Sequence, residues 1–141
     1  MSTSPGRVVV GVDGSSSSVG ALRWAAGYAR CSGAQVHVVE AWVTPHVAGF
    51  PLDPAGDGGR AKAQADLEAV VAAAELPAEV TVTVQLVDGH PTQALLDAAR
   101  SADLLVLGSR GHGGFTGMLL GSVSQHCVQH ASCPVLVVRH G

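Results

Sequence analysis

The chain of 141 residues is 47% apolar and 13% charged, with a net charge of −3 at neutral pH. That length suits one domain with a proper core, and a charged share well under the usual quarter argues for a folded, well-buried chain rather than a disordered one. The weak negative charge and scattered basic residues argue against nucleic acid as a partner, and no run approaches the roughly 18 apolar residues of a membrane span.

The start, MSTSPGRVVVGVDG, shows no signal-peptide pattern, because its apolar run is short and leads into Gly-Val-Asp-Gly. RVVVGVD (7–13) is nearly continuous valine, as expected of a strand covered on both faces of a parallel sheet. A serine run then offers a cap for a helix on which Val19, Leu22, Ala26 and Ala29 recur with a 3.6-residue period. AQVHVVEAW (34–42) reads as the second strand. VTPHVAGFPLDPAGDGG (43–59) holds too much Pro and Gly for a regular element and reads as a mobile loop at the carboxyl end of that strand.

RAKAQADLEAVVAAAEL (60–76) reads as an alanine-rich helix carrying Leu67, Val70, Val71 and Ala74, ended by Pro77. EVTVTVQLVD (79–88) alternates and reads as an edge strand with one face partly wet. HPTQALLDAAR (90–100) places Pro91 in a first helical turn, where its missing N–H costs nothing. ADLLVLG (102–108) is a fourth strand and CPVLVVR (133–139) a fifth, both nearly continuous Val/Leu. Between them SVSQHCVQHA (122–131) is helical, with Ser122 as its cap.

The order β-α-β-α-β-α-β-α-β with right-handed crossovers predicts an open three-layer α/β fold as a single domain over 1–141. In such sheets ligands bind beyond the carboxyl ends of the strands, where strand order reverses. Those ends are distinctive here: Gly11-Val12-Asp13-Gly14, Glu40-Ala41-Trp42, Asp88-Gly89-His90 and Gly108-Ser109-Arg110-Gly111. The glycines at 108, 111, 113, 114, 117 and 121 lie where a ligand is expected, and they lead into a helix start at Gly121-Ser122-Val123-Ser124. The unpaired amides and positive dipole end of a helix start make an anion site, with phosphate the usual guest. Gly108 and Gly111 would spare a sugar and a phosphate chain the obstruction of a Cβ. Neither a G-x-x-x-x-G-K-[ST] loop nor a G-x-G-x-x-G turn after strand one is present, which excludes those two nucleotide-binding designs.

Gly108-x2-Gly111-x9-Gly121-Ser122 resembles the ATP-binding signature of the universal stress protein family. VVVGVDGSSSSVGALRWAA is similar to that family's opening strand and helix, GHPTQALLDAA to its third helix start, and ADLLVLGSRGHGGFTGMLLGSVSQHCVQHASCPVLVVR to its C-terminal signature. The resemblance is weak over 43–76. It implies a five-stranded parallel sheet of order 3-2-1-4-5 and a homodimer paired through the last strand, Pro134–Arg139. A Val-rich terminal strand with Arg139 as its one charge suits that pairing, since unpaired edges invite partners. Carried over by residue, Asp13 contacts the ribose or adenine side, Gly11 and Val12 form the floor, and Ala41, just past strand two, meets adenine through its backbone. Gly108 lies against ribose. Ser109 belongs to the same nucleotide site, Arg110, Gly111, His112, Gly113 and Gly114 wrap the phosphates, and Gly121, Ser122, Val123 and Ser124 supply the anion-binding helix start. ATP, with Mg²⁺ as a companion of its phosphates, is the implied cofactor.

Each residue has a plainer reading beside this one. Asp13 can cap the first helix through an Asx turn; Arg110 and His112 can be solvated loop residues; Ser122 can be an N-cap alone. His126, Cys127, His130 and Cys133 suggest zinc, but Cys127 points about 100° away from the histidine face and the family resemblance carries no metal there. Trp24 and Trp42 read as packing residues. Three cysteines without framework spacing read as reduced thiols in a cytoplasmic protein. A nucleotide cradle without a catalytic base and metal set argues for binding over phosphoryl transfer. Three functions stay open: an ATP-binding stress-response module with an unidentified protein partner, a weak ATPase or other nucleotide-processing enzyme, and a scaffold that binds no nucleotide, or one whose guest is AMP or a cyclic nucleotide.

Overall fold

A computed structural model describes residues 6–13, 16–43, 46–47, 50–51, 59–109 and 121–139. Strands β1 (Arg7–Gly11), β2 (Gln35–Trp42), β5 (Val82–Asp88), β6 (Leu104–Gly108) and β7 (Val135–Val138) form one parallel sheet of order β5-β2-β1-β6-β7. This is the expected order 3-2-1-4-5. Helices α1 (Ser16–Ser32), α2 (Arg60–Ala73), α3 (Pro91–Ala99) and α4 (Ser122–His130) make the crossovers.

The period of two in each strand sorts the core into two layers. Val8, Val10, Val36, Val38 and Val106 face Leu22 and Ala25 of α1 and Leu67 of α2. Val9, Val39, Leu105 and Leu107 face Leu95 and Ala99 of α3 and Cys127 of α4. Val8, Val9 and Val10 are all fully buried, each contributing about 1.5–3 kcal/mol of apolar burial. That is why the first run carries no polar alternation. β5 does alternate, with Thr83 and Gln85 exposed, Val82 and Val84 partly buried and Leu86 buried, as an edge strand should.

Several expectations shift. The 43–59 stretch does contain regular structure: β3 (His46–Val47) and β4 (Phe50–Pro51) pair antiparallel. A ladder of two residues needs few donors, and Pro is tolerated on the edges of such a ribbon. The rest of that stretch, other than Val43 and Gly59, lies outside the described residues. Helix α2 stops at Ala73 rather than at residue 76. Glu75 adopts a left-handed φ of 52°, which ends the helix before Pro77 can, and Leu76 turns back onto the core. Trp24 packs outside the two core layers: it is 38% exposed and stacks on Tyr28 at 5.6 Å between ring centroids. Trp42 does pack, against the layer beneath α1 and α2.

Helix α3 starts as its sequence suggested, with Pro91 at the first turn. Its cap is His90, whose Nδ1 accepts from the Thr92 amide at 3.2 Å. Gly89 turns the chain from β5 with a φ of 135°, a conformation that favours glycine.

Candidate functional site

The central strand stops short of its neighbours. β1 pairs with β2 as far as Gly11 opposite Val39, and with β6 only as far as Val10 opposite Val106. β2 runs on to Trp42 against β5, and β6 runs on to Gly108 against β7. A notch therefore opens at the carboxyl edge, where strand order reverses and where open α/β sheets take their ligands. The Val12 amide donates to the Val39 carbonyl at 3.0 Å, the last tie between these two strands.

Alternation along the ladder then decides what faces the notch. Val39 turns its backbone groups to β1, and Trp42 gives its carbonyl to the Gly89 amide on the β5 side at 3.0 Å. Ala41, in phase with Val39, presents its N–H and C=O to the notch. It is the penultimate residue of β2 rather than just past it.

Helix α4 begins on the other flank. Gly121 is its N-cap, with extended φ −72° and ψ 168° and no side chain to bond. Ser122 is thus the first helical residue and not the cap, because a cap must be non-helical. The Gly121 amide donates to the Ser109 carbonyl at 2.7 Å, and Gln125 closes the first turn onto the Gly121 carbonyl at 2.9 Å. The amides of Ser122, Val123 and Ser124 have no acceptor among the described residues, as the geometry of a helix start requires. No acidic residue sits in that turn to compete for its dipole. Ser124 contributes its amide alone, since its buried hydroxyl donates to the Gly108 carbonyl at 2.7 Å.

The universal stress protein family profile matches residues 5–139. The chain belongs to this family. A universal stress protein of Mycolicibacterium smegmatis is 37% identical over 134 residues, covering 94% of this chain and 45% of the relative. One of Thermus aquaticus is 35% identical over 136 residues, covering 94% of this chain and 97% of the relative. The chain thus spans about half the length of the first of these and nearly all of the second. Among solved structures, a universal stress protein in complex with cAMP is 31% identical with a TM-score of 0.72, covering 94% of this chain and 96% of that one.

Within this universal stress protein, the small residues at the notch have packing reasons of their own. A Cβ on Gly108 would lie 2.2 Å from the Ser17 hydroxyl and 3.1 Å from the Ser17 carbonyl. The space expected for a sugar is, in that direction, filled by the start of α1. A Cβ on Gly11 would meet the tips of Leu107 and Leu95 at 2.7 Å. Val12 turns its side chain into the core, so any floor it offers is backbone. Asp13 is exposed; its amide donates to the Ser18 hydroxyl at 3.0 Å, and that hydroxyl lies 2.9 Å from Asp13 Oδ1. Ser109 is buried and donates its amide to the Val138 carbonyl at 3.0 Å. Arg110, Gly111, His112, Gly113 and Gly114 lie outside the described residues.

Sequence reasoning passed over Ser17 and Ser18, which are buried polar residues where α1 abuts the ends of β1 and β6. Their burial was hidden within a serine run that read only as a cap. It also passed over Arg60, which sits over the Trp42 ring at 5.9 Å and pairs with Asp88. Nothing in the spacing linked those three. On α4, Cys127 is fully buried with its thiol pushed up to about 11 by desolvation, while His126 and His130 are exposed. Among the described residues no group of three or more His, Cys, Asp or Glu side chains is placed to hold a metal. No described helix is long and apolar enough to cross a membrane.

Proposed function

We propose that the chain is an ATP-binding universal stress protein, a nucleotide-dependent stress-response module that holds the nucleotide across the carboxyl ends of β1 and β6. One observation carries this reading: the open first turn of α4, with three amides lacking an acceptor among the described residues, tied to the end of β6 beside the notch. Amides at the positive end of a helix suit phosphate. The notch beyond Gly11 suits the sugar and base, with Asp13 on the ribose side and the Ala41 backbone edge toward adenine.

The residues fit the group. Gly121 leaves the turn without a side chain over the amides, and the motif Gly108-x2-Gly111-x9-Gly121-Ser122 carries the phosphates along Arg110 to Gly114 in this reading. Mg²⁺ travels with the phosphates, since the described residues offer it no cage. The role is binding rather than turnover: the carboxylate that follows β1, Asp13, already engages Ser18. The relative solved with cAMP favours a second guest, AMP or a cyclic nucleotide, in the same cradle.

The same reading takes residues 1–141 as one domain that works in the cytoplasm as a homodimer. β7 pairs only with β6 among the described strands, so its other edge, Pro134–Arg139, is available to a second copy.

Protein purified without added nucleotide, then denatured, should release ATP on chromatography. Added ATP-Mg²⁺ should raise the melting temperature, since a hundredfold excess over Kd adds about 2.7 kcal/mol of stability by mass action. AMP or cAMP in place of ATP would move the conclusion to the second guest. An empty supernatant together with an unmoved melting curve would sink both. ATP turnover above that of a Gly111→Ala/Ser122→Ala variant would make the chain an enzyme.

A further inference from the structure

One guanidinium ties together three element ends at the carboxyl edge of the sheet. Arg60 opens α2, and its charged group lies 5.9 Å from the ring centroid of Trp42, the last residue of β2. Nη1 donates to the carboxylate of Asp88, the last residue of β5. Nη2 donates to the Leu86 carbonyl at 2.9 Å. Trp42 and Asp88 are themselves opposite each other in the β2–β5 ladder, so the fork clasps a cross-strand pair from above. A planar group with five donors can stack on a ring while bonding a carboxylate and a carbonyl; an ammonium cannot.

As a stability element the clasp is weak. The Arg60 and Asp88 side chains are 38% and 71% exposed, and such pairs contribute little. Its place gives it a different use. β2 loses its β1 neighbour after Val39, so among the described strands Ala41 and Trp42 pair with β5 and with no strand on their other side. Ala41 is the residue whose backbone edge faces the notch. Trp42 follows it and sends its ring to the opposite face, against the layer beneath α1 and α2. Pinning Trp42 to Asp88 therefore fixes where Ala41 presents its amide and carbonyl.

We propose that Arg60 is the positioning residue for the base end of the nucleotide site: by clasping Trp42 to Asp88 it holds the Ala41 backbone edge toward adenine and so sets discrimination among bases. This rests on the nucleotide-binding reading above. The phosphate end, on α4 across the notch, does not depend on the clasp, so losing Arg60 should affect which base is preferred more than whether a triphosphate binds.

The test is calorimetric titration of the full chain with ATP and with GTP in a Trp24→Phe background, where Trp42 is the sole tryptophan and its emission reports the clasp. Arg60→Ala should shift that emission, weaken ATP by about tenfold and cut the ATP-over-GTP preference by a similar factor. Arg60→Lys, which keeps the charge and loses the fork, should recover little of the preference, and Asp88→Asn should fall between. A shifted emission with an unchanged ATP-over-GTP ratio would overturn the proposal, as would equal loss of both nucleotides. If Arg60→Ala fails to fold, Asp88→Asn decides by the same ratio. A parent that binds ATP and GTP equally refutes the clasp's role alone, whereas a parent that binds neither refutes the nucleotide reading and the clasp with it.

Discussion

The Ser124 hydroxyl donates to the Gly108 carbonyl across 2.7 Å. This bond joins the first turn of α4 to the last residue of β6, the two ends of the glycine-rich return. It leaves the helix's open amides standing beside the notch at β1.

Ser124→Ala removes that donor and leaves the Gly108 carbonyl without it. Ser124 is buried, so the loss should be about 1–2 kcal/mol in urea unfolding, accompanied by weaker ATP binding as the helix start drifts. Ser122→Ala, at an exposed position with no side-chain cap bond, should stay within about 0.5 kcal/mol of wild type. Equal effects from the two serines would show that the bond to Gly108 does not hold the site.

Ser122→Pro isolates the amides. The first helical position accepts proline, and extended Gly121 before it is compatible. The fold should be unperturbed by circular dichroism and melting, while ATP affinity falls by about five- to tenfold through loss of one N–H donor. Unchanged affinity would mean that the Ser122 amide does not meet phosphate.

Gly108→Ala should be destabilising by about 1–3 kcal/mol, because its Cβ meets Ser17, which is itself buried. Much of that is a contact with the Ser17 hydroxyl at 2.2 Å. A Gly108→Ala/Ser17→Ala double variant should therefore recover part of the loss in a double-mutant cycle. Gly11→Ala meets only the ends of Leu95 and Leu107 and should be milder. Strict additivity at 108 and 17 would refute the contact.

His37 should make the protein's stability sensitive to acid. Its ring lies 2.6 Å from the Thr83 hydroxyl and 3.0 Å from Gln85 Oε1. Burial, opposed by the Gln85 bond and aided by Arg7, holds its pKa below 6.5. The folded state then binds fewer protons than the unfolded one, so stability is full above pH 6.5 and falls as pH drops below it. His37→Gln should lose less stability than wild type between about pH 8 and about pH 5.5 in matched denaturant curves. Parallel losses would place the acid sensitivity elsewhere.

The valine runs are legible because strands buried on both faces favour continuous apolar residues, and the alternation of 79–88 marks the edge strand β5. The open helix start could be read from glycines leading into Ser122, since helix geometry alone leaves those amides without acceptors. Helix ends were less legible: one left-handed residue, Glu75, stopped α2 where no glycine or proline marked the place.

What the sequence by itself determined is the order of the five parallel strands and their crossover helices, the burial of the first and fourth of those strands on both faces and the family signature, all of which follow from local periodicity and spacing. Only the tertiary structure decided that β1 stops short of both neighbours, that Gly108 is small for the sake of Ser17, that Ser124 turns its hydroxyl inward, and that Arg60 clasps Trp42 to Asp88. Each of these depends on residues far apart in the chain meeting across the sheet, and a one-dimensional pattern carries no term for the space a distant side chain will fill.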